Sequence, residues 1–560
     1  MLHALSTSRP RATTARTNPS SRAGTTASVR SGALALLAGS LLAAPLVAQV
    51  PDPGHRVYCP NGTSTTFMVD AAGNTVHSWP SSASVGNTVY VEEDGTLLRA
   101  IRTGVSGFGG VGGGVERIAY DGTRTWRFDY DTGGNIHHHD VESMPNGNVL
   151  LIAWQEKTQA EAIQAGRNPA FITGPTFFPD HIIEVEPTGP TTGDIVWEWH
   201  VWDHLIQDFD ATKDNFGVVG DHPELVDINF PPNNASDWNH ANSVDYDPAN
   251  DWIVISANFQ DEIWIVDHST TTAEAAGHTG GARGKGGDLL WRWGNPQAYR
   301  AGTGADQALF RQHGVKFIDE GLDGEGNLIL YNNQIAPSSR VEELELPIDG
   351  NGDLEFGPGG VFGPAAPVWT YQDPAMNSAI MSSAERLPNG NTLIASSLQG
   401  RLFEITSGGS IVWEIGTPTS FRISHVTRSL WTDTRELSAS TPGARVDFDL
   451  AAGSQHAGDL YFLLGSLSGT TPGVTIGGMN LPLNLDGYTT LTITKANNAV
   501  FPGFAGVLDI DGNATASLVN PSVLPPEVEG LELHHAFVVR DAVLNLTDKV
   551  SNAESVTFTP

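Results

Sequence analysis

Histidine is the residue of this chain best placed to do chemistry, and it occurs in three similar settings. NIHHHDVESMPNGN carries His137, His138, His139 and Asp140; DWNHANSVDYDP carries His240 and Asn242; LFRQHGVKFID carries Gln312 and His313. In each phrase the histidine leads into a strand-like apolar run that ends in turn residues. A neutral imidazole is a nucleophile near neutral pH, and a neighbouring imidazolium or amide can hold developing negative charge. A carboxylate such as Asp140 can fix a ring tautomer.

The other polar signals are more local. HVWDH sets His200 and His204 four apart around Asp203, a metal pair if helical, but it lacks the glutamate of HExxH and reads as an exposed loop. DGNGDLE places Asp349, Asn351, Asp353 and Glu355 at alternate positions, which suits either a structural Ca²⁺ at 349–355 or a plain acidic turn. GFGGVGGGVE, at 107–116, does not join a strand to a helix, so it is no nucleotide fingerprint. His534 and His535 read as surface or strand-face residues of the C-terminal region. There is no GxSxG serine elbow, and the single Cys59 excludes an internal disulfide.

The elements that must position the histidines show as a repeat. Six apolar, acid-containing phrases run into tryptophan, at Trp79, Trp126, Trp197 with Trp199, Trp291 with Trp293, Trp369 and Trp413. Several follow a phrase of the PNGN type, whose turn residues suit tight hairpins. Such a repeat predicts an all-β chain in which residues 52–436 form a six-bladed β-propeller with histidines on the inner strands facing a central funnel. Residues 155–235 read as the largest insertion. Beyond Trp431 the tryptophan phrases stop, and 437–560 read as a small β-sandwich.

Thirty Lys and Arg stand against 63 Asp and Glu, a formal charge of −33. An acidic surface of that size repels nucleic acid and anionic membranes. Arg22 and Arg30 precede the apolar run 32–48, which reads as a signal peptide over 1–48 with cleavage near Ala48. The mature protein is therefore expected in the periplasm or outside the cell, with no stable membrane span. The sequence does not set an oligomeric state.

From HHHDVESMPNGN through DWNHANSVDYDPANDWIVIS and GKGGDLLWRWGNPQAY to LFRQHGVKFI, the chain resembles the bacterial arylsulfotransferase family, over roughly 55–430. The resemblance implies a six-bladed propeller that moves a sulfuryl group from a phenolic sulfate ester to an acceptor phenol, without a nucleotide sulfate donor or other cofactor. It implies a sulfohistidine carrier, which falls on His313, and a second active-site histidine, His240. The third falls within HHHD on His139, with His138 as the rival, and Asn242 and Asn258 join the substrate-binding set. Asn258 stands where the family pattern has an arginine, so it offers a hydrogen bond without charge; Arg311, Arg401 and Arg422 are the candidates to replace that charge. Two other readings remain: a non-catalytic propeller binding aromatic or sulfated ligands, and a secreted adhesive or structural protein.

Overall fold

A computed structural model describes residues 50–355, 360–544 and 546–560. The signal-peptide region, 1–48, lies outside them. The described chain is mostly β, and its first part contains six antiparallel sheets of four strands each. Five are built from consecutive stretches of chain. The sheet that begins with His55–Tyr58 is different: its edge strand is Ser424–Val426, from the far end of the repeat. First and last segments are thus joined by ladder hydrogen bonds, with Arg56 opposite His425. A buried ion pair, Arg56 to Glu404 at 2.7 Å, ties the same strand to the sixth sheet.

Each of the six tryptophan phrases forms the fourth strand of one sheet: Thr75–Pro80, Arg124–Asp129, Thr192–His200, Trp291–Trp293, Trp369–Gln372 and Ile411–Gly416. The PNGN phrases make the same turn twice. Met144 N donates to Asn148 O and Leu387 N to Asn391 O, with Gly147 and Gly390 at φ of 86° and 81°. Only glycine takes that conformation without strain, which explains why the phrase recurs unchanged.

The opposite edge strands, Val85–Val91, Asn135–Ser143, Ala241–Asp247, His313–Phe317 and Ser383–Arg386, touch one another in sequence order. Four of them are bulged, with register shifts at 85–89, 137–141, 241–244 and 313–316. A bulge frees backbone N–H groups from the ladder, and side chains of the neighbouring strand take them up. Val244 N donates to Asp140 Oδ2 at 3.1 Å, Val315 N to Ser243 Oγ at 3.0 Å and Phe317 N to Asp245 Oδ2 at 2.6 Å.

The insertion expected at 155–235 is divided. Asp180–Gly189 and Thr192–His200 are strands of the third sheet, so the extra chain lies before and after them. In the C-terminal region, Leu430–Thr432 already pairs with Arg445–Ala451 in a three-stranded sheet. That sheet and the larger one containing Leu460–Ser466 and Glu532–Arg540 share one apolar core around Phe448, Leu463 and Phe537. Trp431 joins it to the first two sheets by stacking on Tyr120 at 4.6 Å. No helix among the described residues is long and apolar enough to cross a membrane.

Candidate active site

A cavity of about 650 Å³ opens where the bulged edge strands begin, and His139, His240 and His313 all line it. Asn258, Phe259, Arg102, Arg311, Met381, Phe421 and the Gly109–Gly110 backbone complete most of the wall. The local backbone explains the convergence. His139, His240 and Arg311 hold φ of 57°, 51° and 57°, in the left-handed region that non-glycine residues seldom occupy. Each such residue costs on the order of 1–3 kcal/mol, which the surrounding ladders must offset. Bulge and left-handed turn together aim the ring at the cavity instead of along the sheet.

His313 is the most tightly specified of the three. Its Nδ1 lies 2.8 Å from Asn333 Oδ1. The Asn333 amide nitrogen donates to two carbonyls, those of Ser378 and Met381, both at 2.8 Å. The amide therefore has one orientation, its oxygen must accept, and His313 Nδ1 must carry the proton. Nε2 is left with its lone pair. Burial, with repulsion from His240 and Arg422, pushes the imidazolium pKa down to about 3 against the Asn333 hydrogen bond, so the ring is neutral across ordinary pH.

The residue before it is clamped as well. The Gln312 carbonyl accepts from Asn242 Nδ2 at 2.9 Å and from Asn258 Nδ2 at 2.8 Å. Asn258 thus lines the cavity while its amide holds backbone, and Asn242 lies behind the wall doing the same.

His240 and His139 have their own supports. His240 Nδ1 meets Asp237 Oδ2 at 2.5 Å, and its ring stacks on Phe259 at 4.3 Å. Asp237 Oδ1 is held by the Trp154 indole at 3.0 Å. The His139 ring lies 4.6 Å from that of His240. His139 Nδ1 contacts His138 Nδ1 at 2.7 Å, and His138 Nε2 contacts Asp180 Oδ1 at 3.1 Å. His138, fully buried and stacked on Trp154 at 3.9 Å, sits behind the cavity wall between those two.

The direction of this chain of hydrogen bonds follows from charge. Burial, reinforced by the Asp237 carboxylate, holds the Asp180 carboxyl well above its ordinary range, while Asp180 Oδ2 accepts from Ala241 N at 2.6 Å. A neutral Asp180 donates from Oδ1 to His138, His138 donates from Nδ1 to His139, and His139 keeps an Nε2–H for the cavity. Burial first, with repulsion from His240, holds both rings of this relay well below the usual imidazolium range, and His138 adds to the repulsion at His139.

Positive charge reaches the cavity from Arg311 and Arg102. Arg311 lies over the Phe259 ring at 4.4 Å, and its Nη1 is buried without a hydrogen-bond partner. Arg422 is committed below the floor, to Asp140 at 2.5 Å, Tyr90 at 2.8 Å and the Asn242 carbonyl at 2.6 Å. Arg401 pairs with Asp373 and Glu414.

Asp237, Asp180, Asn333, Phe259, Phe421 and Arg102 escaped sequence reasoning. Asp237 alone left a local sign, three residues ahead of His240 in DWNH. The glycine run carried another: a Cβ on Gly110, at φ 85°, would lie 1.9 Å from His139 Cε1, so the loop packs directly against that ring.

The remaining motifs lie elsewhere. His200 stacks on His181 at 4.7 Å, whereas His204 is buried and turned to Asp288, so the two are not a pair. Asp349 Oδ1 caps its own turn, accepting from Asn351 N and Asp353 N at 2.7 and 2.9 Å. His535 is buried against the Tyr488 hydroxyl at 3.0 Å.

Among solved structures, the chain is similar to a protein of unknown function from Bacteroides caccae, at 12% identity and a TM-score of 0.38, over 67% of this chain and 99% of that one. It is also similar to virginiamycin B lyase from Staphylococcus aureus, at 10% identity and a TM-score of 0.33, over 66% and 82%. A periplasmic gluconolactonase from Pseudomonas aeruginosa matches at 12% identity and a TM-score of 0.33, over 67% and 99%. No curated protein matches the chain. The Arylsulfotransferase (ASST) family model matches residues 49–417, well over half of the sequence, and the chain belongs to that family.

Proposed function

We propose that this protein is an exported arylsulfotransferase that carries the sulfuryl group on His313 between a phenolic sulfate ester and an acceptor phenol. The observation that carries the reading is the Asn333 amide. Fixed on two carbonyls, it leaves His313 Nε2 as an unprotonated lone pair at the cavity.

In the first half of the cycle, Nε2 attacks sulfur; an N–S bond forms, the aryl S–O bond breaks, and the leaving phenolate takes a proton from His240 Nε2. The positive charge that develops on the His313 ring is shared with Asn333 Oδ1 through Nδ1–H. In the second half the acceptor phenol returns a proton to His240, its oxygen bonds to sulfur, and the N–S bond breaks. Asp237 orients the His240 ring and offsets the charge of its second proton. The sulfuryl oxygens spread negative charge in the transition state, so preorganised donors supply much of the catalysis. Here they are His139 Nε2–H, through the relay from Asp180, and the Arg311 guanidinium at the cavity wall, which stands in for the arginine that the family pattern has at Asn258. Phe259 and Phe421 offer apolar faces to the aryl rings. The cycle calls for no cofactor and no nucleotide sulfate donor.

In the same reading the six sheets are blades of a six-bladed propeller, with Ser424–Val426 closing the ring, and the two C-terminal sheets form the sandwich. Export rests on Arg22, Arg30 and the 32–48 run. The test is incubation with a chromogenic aryl sulfate and an acceptor phenol. Acceptor-dependent release of coloured phenol is expected, with a sulfuryl adduct on the His313 peptide after rapid quenching. Release undiminished in His313→Ala would refute the assignment.

A further inference from the structure

Sulfuryl transfer leaves the HVWDH phrase without a role, yet the fold gives His204 partners that its neighbours in sequence do not suggest. Val201–His204 is a single 3-10 turn that buries His204 completely. Its Nε2 lies 2.8 Å from the Ala275 carbonyl, which can only accept, so that nitrogen carries a proton. Nδ1 then faces Asp288 Oδ1 at 2.9 Å. His278 reaches the same oxygen with its own Nδ1 at 2.7 Å. Two imidazole nitrogens and a carboxylate oxygen, from three separate places in the chain, lie within 4.8 Å of one another.

The surroundings hold this arrangement in place. Trp199 stacks nearly parallel on His204, at 5.7 Å and 5°, and its indole donates to the Gly287 carbonyl at 2.7 Å. One side chain therefore fixes both the His204 ring and the backbone leading to Asp288. Gly287 fits because it lacks a Cβ, which would lie 2.0 Å from the Ala275 oxygen and 2.6 Å from His204 Nε2. His278, at 59% side-chain exposure, leaves the group open to solvent on one side.

We propose that His204 Nδ1, His278 Nδ1 and Asp288 Oδ1 bind Zn²⁺ or a divalent ion of similar preference such as Co²⁺, with water in the fourth position. Nitrogen-rich donor sets suit these ions, whereas Ca²⁺ and Mg²⁺ take oxygen. The His204 Nε2–H to carbonyl bond is the outer support that ligating histidines receive. Ligand atoms of a tetrahedral site with bonds of 2.0–2.1 Å stand about 3.3 Å apart. The observed 2.7–2.9 Å must open by a few tenths of an ångström, through outward movement of the exposed His278 and rotation of the Asp288 carboxylate away from His204. None of the three residues lines the cavity, so the ion clasps the segment after Thr192–His200 to the 275–288 segment and takes no part in sulfuryl transfer.

The test uses the full-length protein, stripped with EDTA and titrated with Co²⁺ and then Zn²⁺. One Co²⁺ per chain is expected, with the visible absorption of a four-coordinate site that Zn²⁺ abolishes by displacement. His278→Ala removes an exposed ring and should fold normally by circular dichroism, yet lose at least tenfold in affinity. Zn²⁺ should raise the Tm of the natural protein and leave that of His278→Ala unmoved. Equal Co²⁺ binding by the two proteins overturns the proposal. So does binding that instead disappears in Asp459→Asn, because His456, Asp459 and Asp548 form a second close group.

Discussion

Replacing Asn333 by alanine tests the central claim about His313. The side chain does not reach the substrate; it holds Nδ1–H at 2.8 Å and is itself held by Ser378 and Met381. In the ground state this is a hydrogen bond between neutral groups, worth about 1 kcal/mol. When Nε2 bonds to sulfur the ring becomes cationic, and hydrogen bonds to charged groups contribute about 1.5–3 kcal/mol. The variant should therefore form sulfuryl-enzyme roughly 2- to 30-fold more slowly, matching the ~0.5–2 kcal/mol by which the bond strengthens as the ring becomes cationic, with donor KM little changed. Two carbonyls also lose their donors, so Tm will fall; rates must be measured below the transition and per titrated active site. Rapid-quench detection of the sulfuryl adduct is the assay. An adduct rate equal to that of the natural protein would refute the argument that Asn333 shares the charge on the His313 ring.

Asn333→Asp adds a pH test. His313 is held down to about 3, chiefly by burial, so it stays a neutral nucleophile from pH 8 to pH 5 and contributes no acid limb to kcat/KM there. A carboxylate beside Nδ1 favours the imidazolium and raises that pKa. Protonated ring has no lone pair, so activity in Asn333→Asp should fall as pH drops through the raised value, producing an acid limb that the natural protein lacks.

Two further substitutions separate the cavity from the scaffold. Gly110→Ala and Gly147→Ala both place a Cβ on a glycine of nearly equal positive φ, 85° and 86°, so both should lose at least about 1–2 kcal/mol of stability, more at Gly110, read by urea unfolding. Only at Gly110 does the Cβ meet a ring, 1.9 Å from His139, so only Gly110→Ala should lose more than tenfold in kcat/KM; equal activity in the two would remove His139 from the site. Asp180→Asn keeps a donor toward His138 and an acceptor for Ala241 N, so it should retain activity within a few fold while Asp180→Ala loses it. A collapse of activity in Asp180→Asn, folded by circular dichroism, would mean that the relay runs the other way, from an ionised Asp180.

The repeat was legible because its causes are local. A tryptophan strand, a PNGN turn and a glycine at positive φ obey rules that span about ten residues, and all six phrases became fourth strands. The three histidines were legible as a group because each lies in or directly before an edge strand. The residues that give them a protonation state were not. Asn333 reaches His313 across 20 positions, Asp180 reaches His138 across 42, and Trp154 reaches Asp237 across 83. The first two cross strands of one sheet and the third joins neighbouring sheets, pairings that no local pattern encodes. The same limit applies to Asn258. The family resemblance marks it as a position without the expected arginine, but the fold uses its amide on the Gln312 carbonyl and brings a guanidinium in from Arg311.

The bulges tie the repeat to the chemistry. A regular edge strand would send alternate side chains up and down the channel and keep alternate N–H groups in its single ladder. At 137–141, 241–244 and 313–316 the register slips, the chain turns left-handed at His139, His240 and Arg311, and the freed N–H groups pass to Asp140, Ser243 and Asp245 of adjoining strands. The groups that support the strands bulged at 241–244 and 313–316 thus belong to the bulged strand that precedes each. Asp140 supports Val244 and also holds Arg422, so disturbing one histidine strand reaches its neighbour through backbone hydrogen bonds. On this reasoning Asp140 is a positioning residue for two histidines at once, although it lies beneath the cavity and not on its wall. A site built this way resists single changes in the outer strands and is sensitive to any change that lets one bulge relax into regular register.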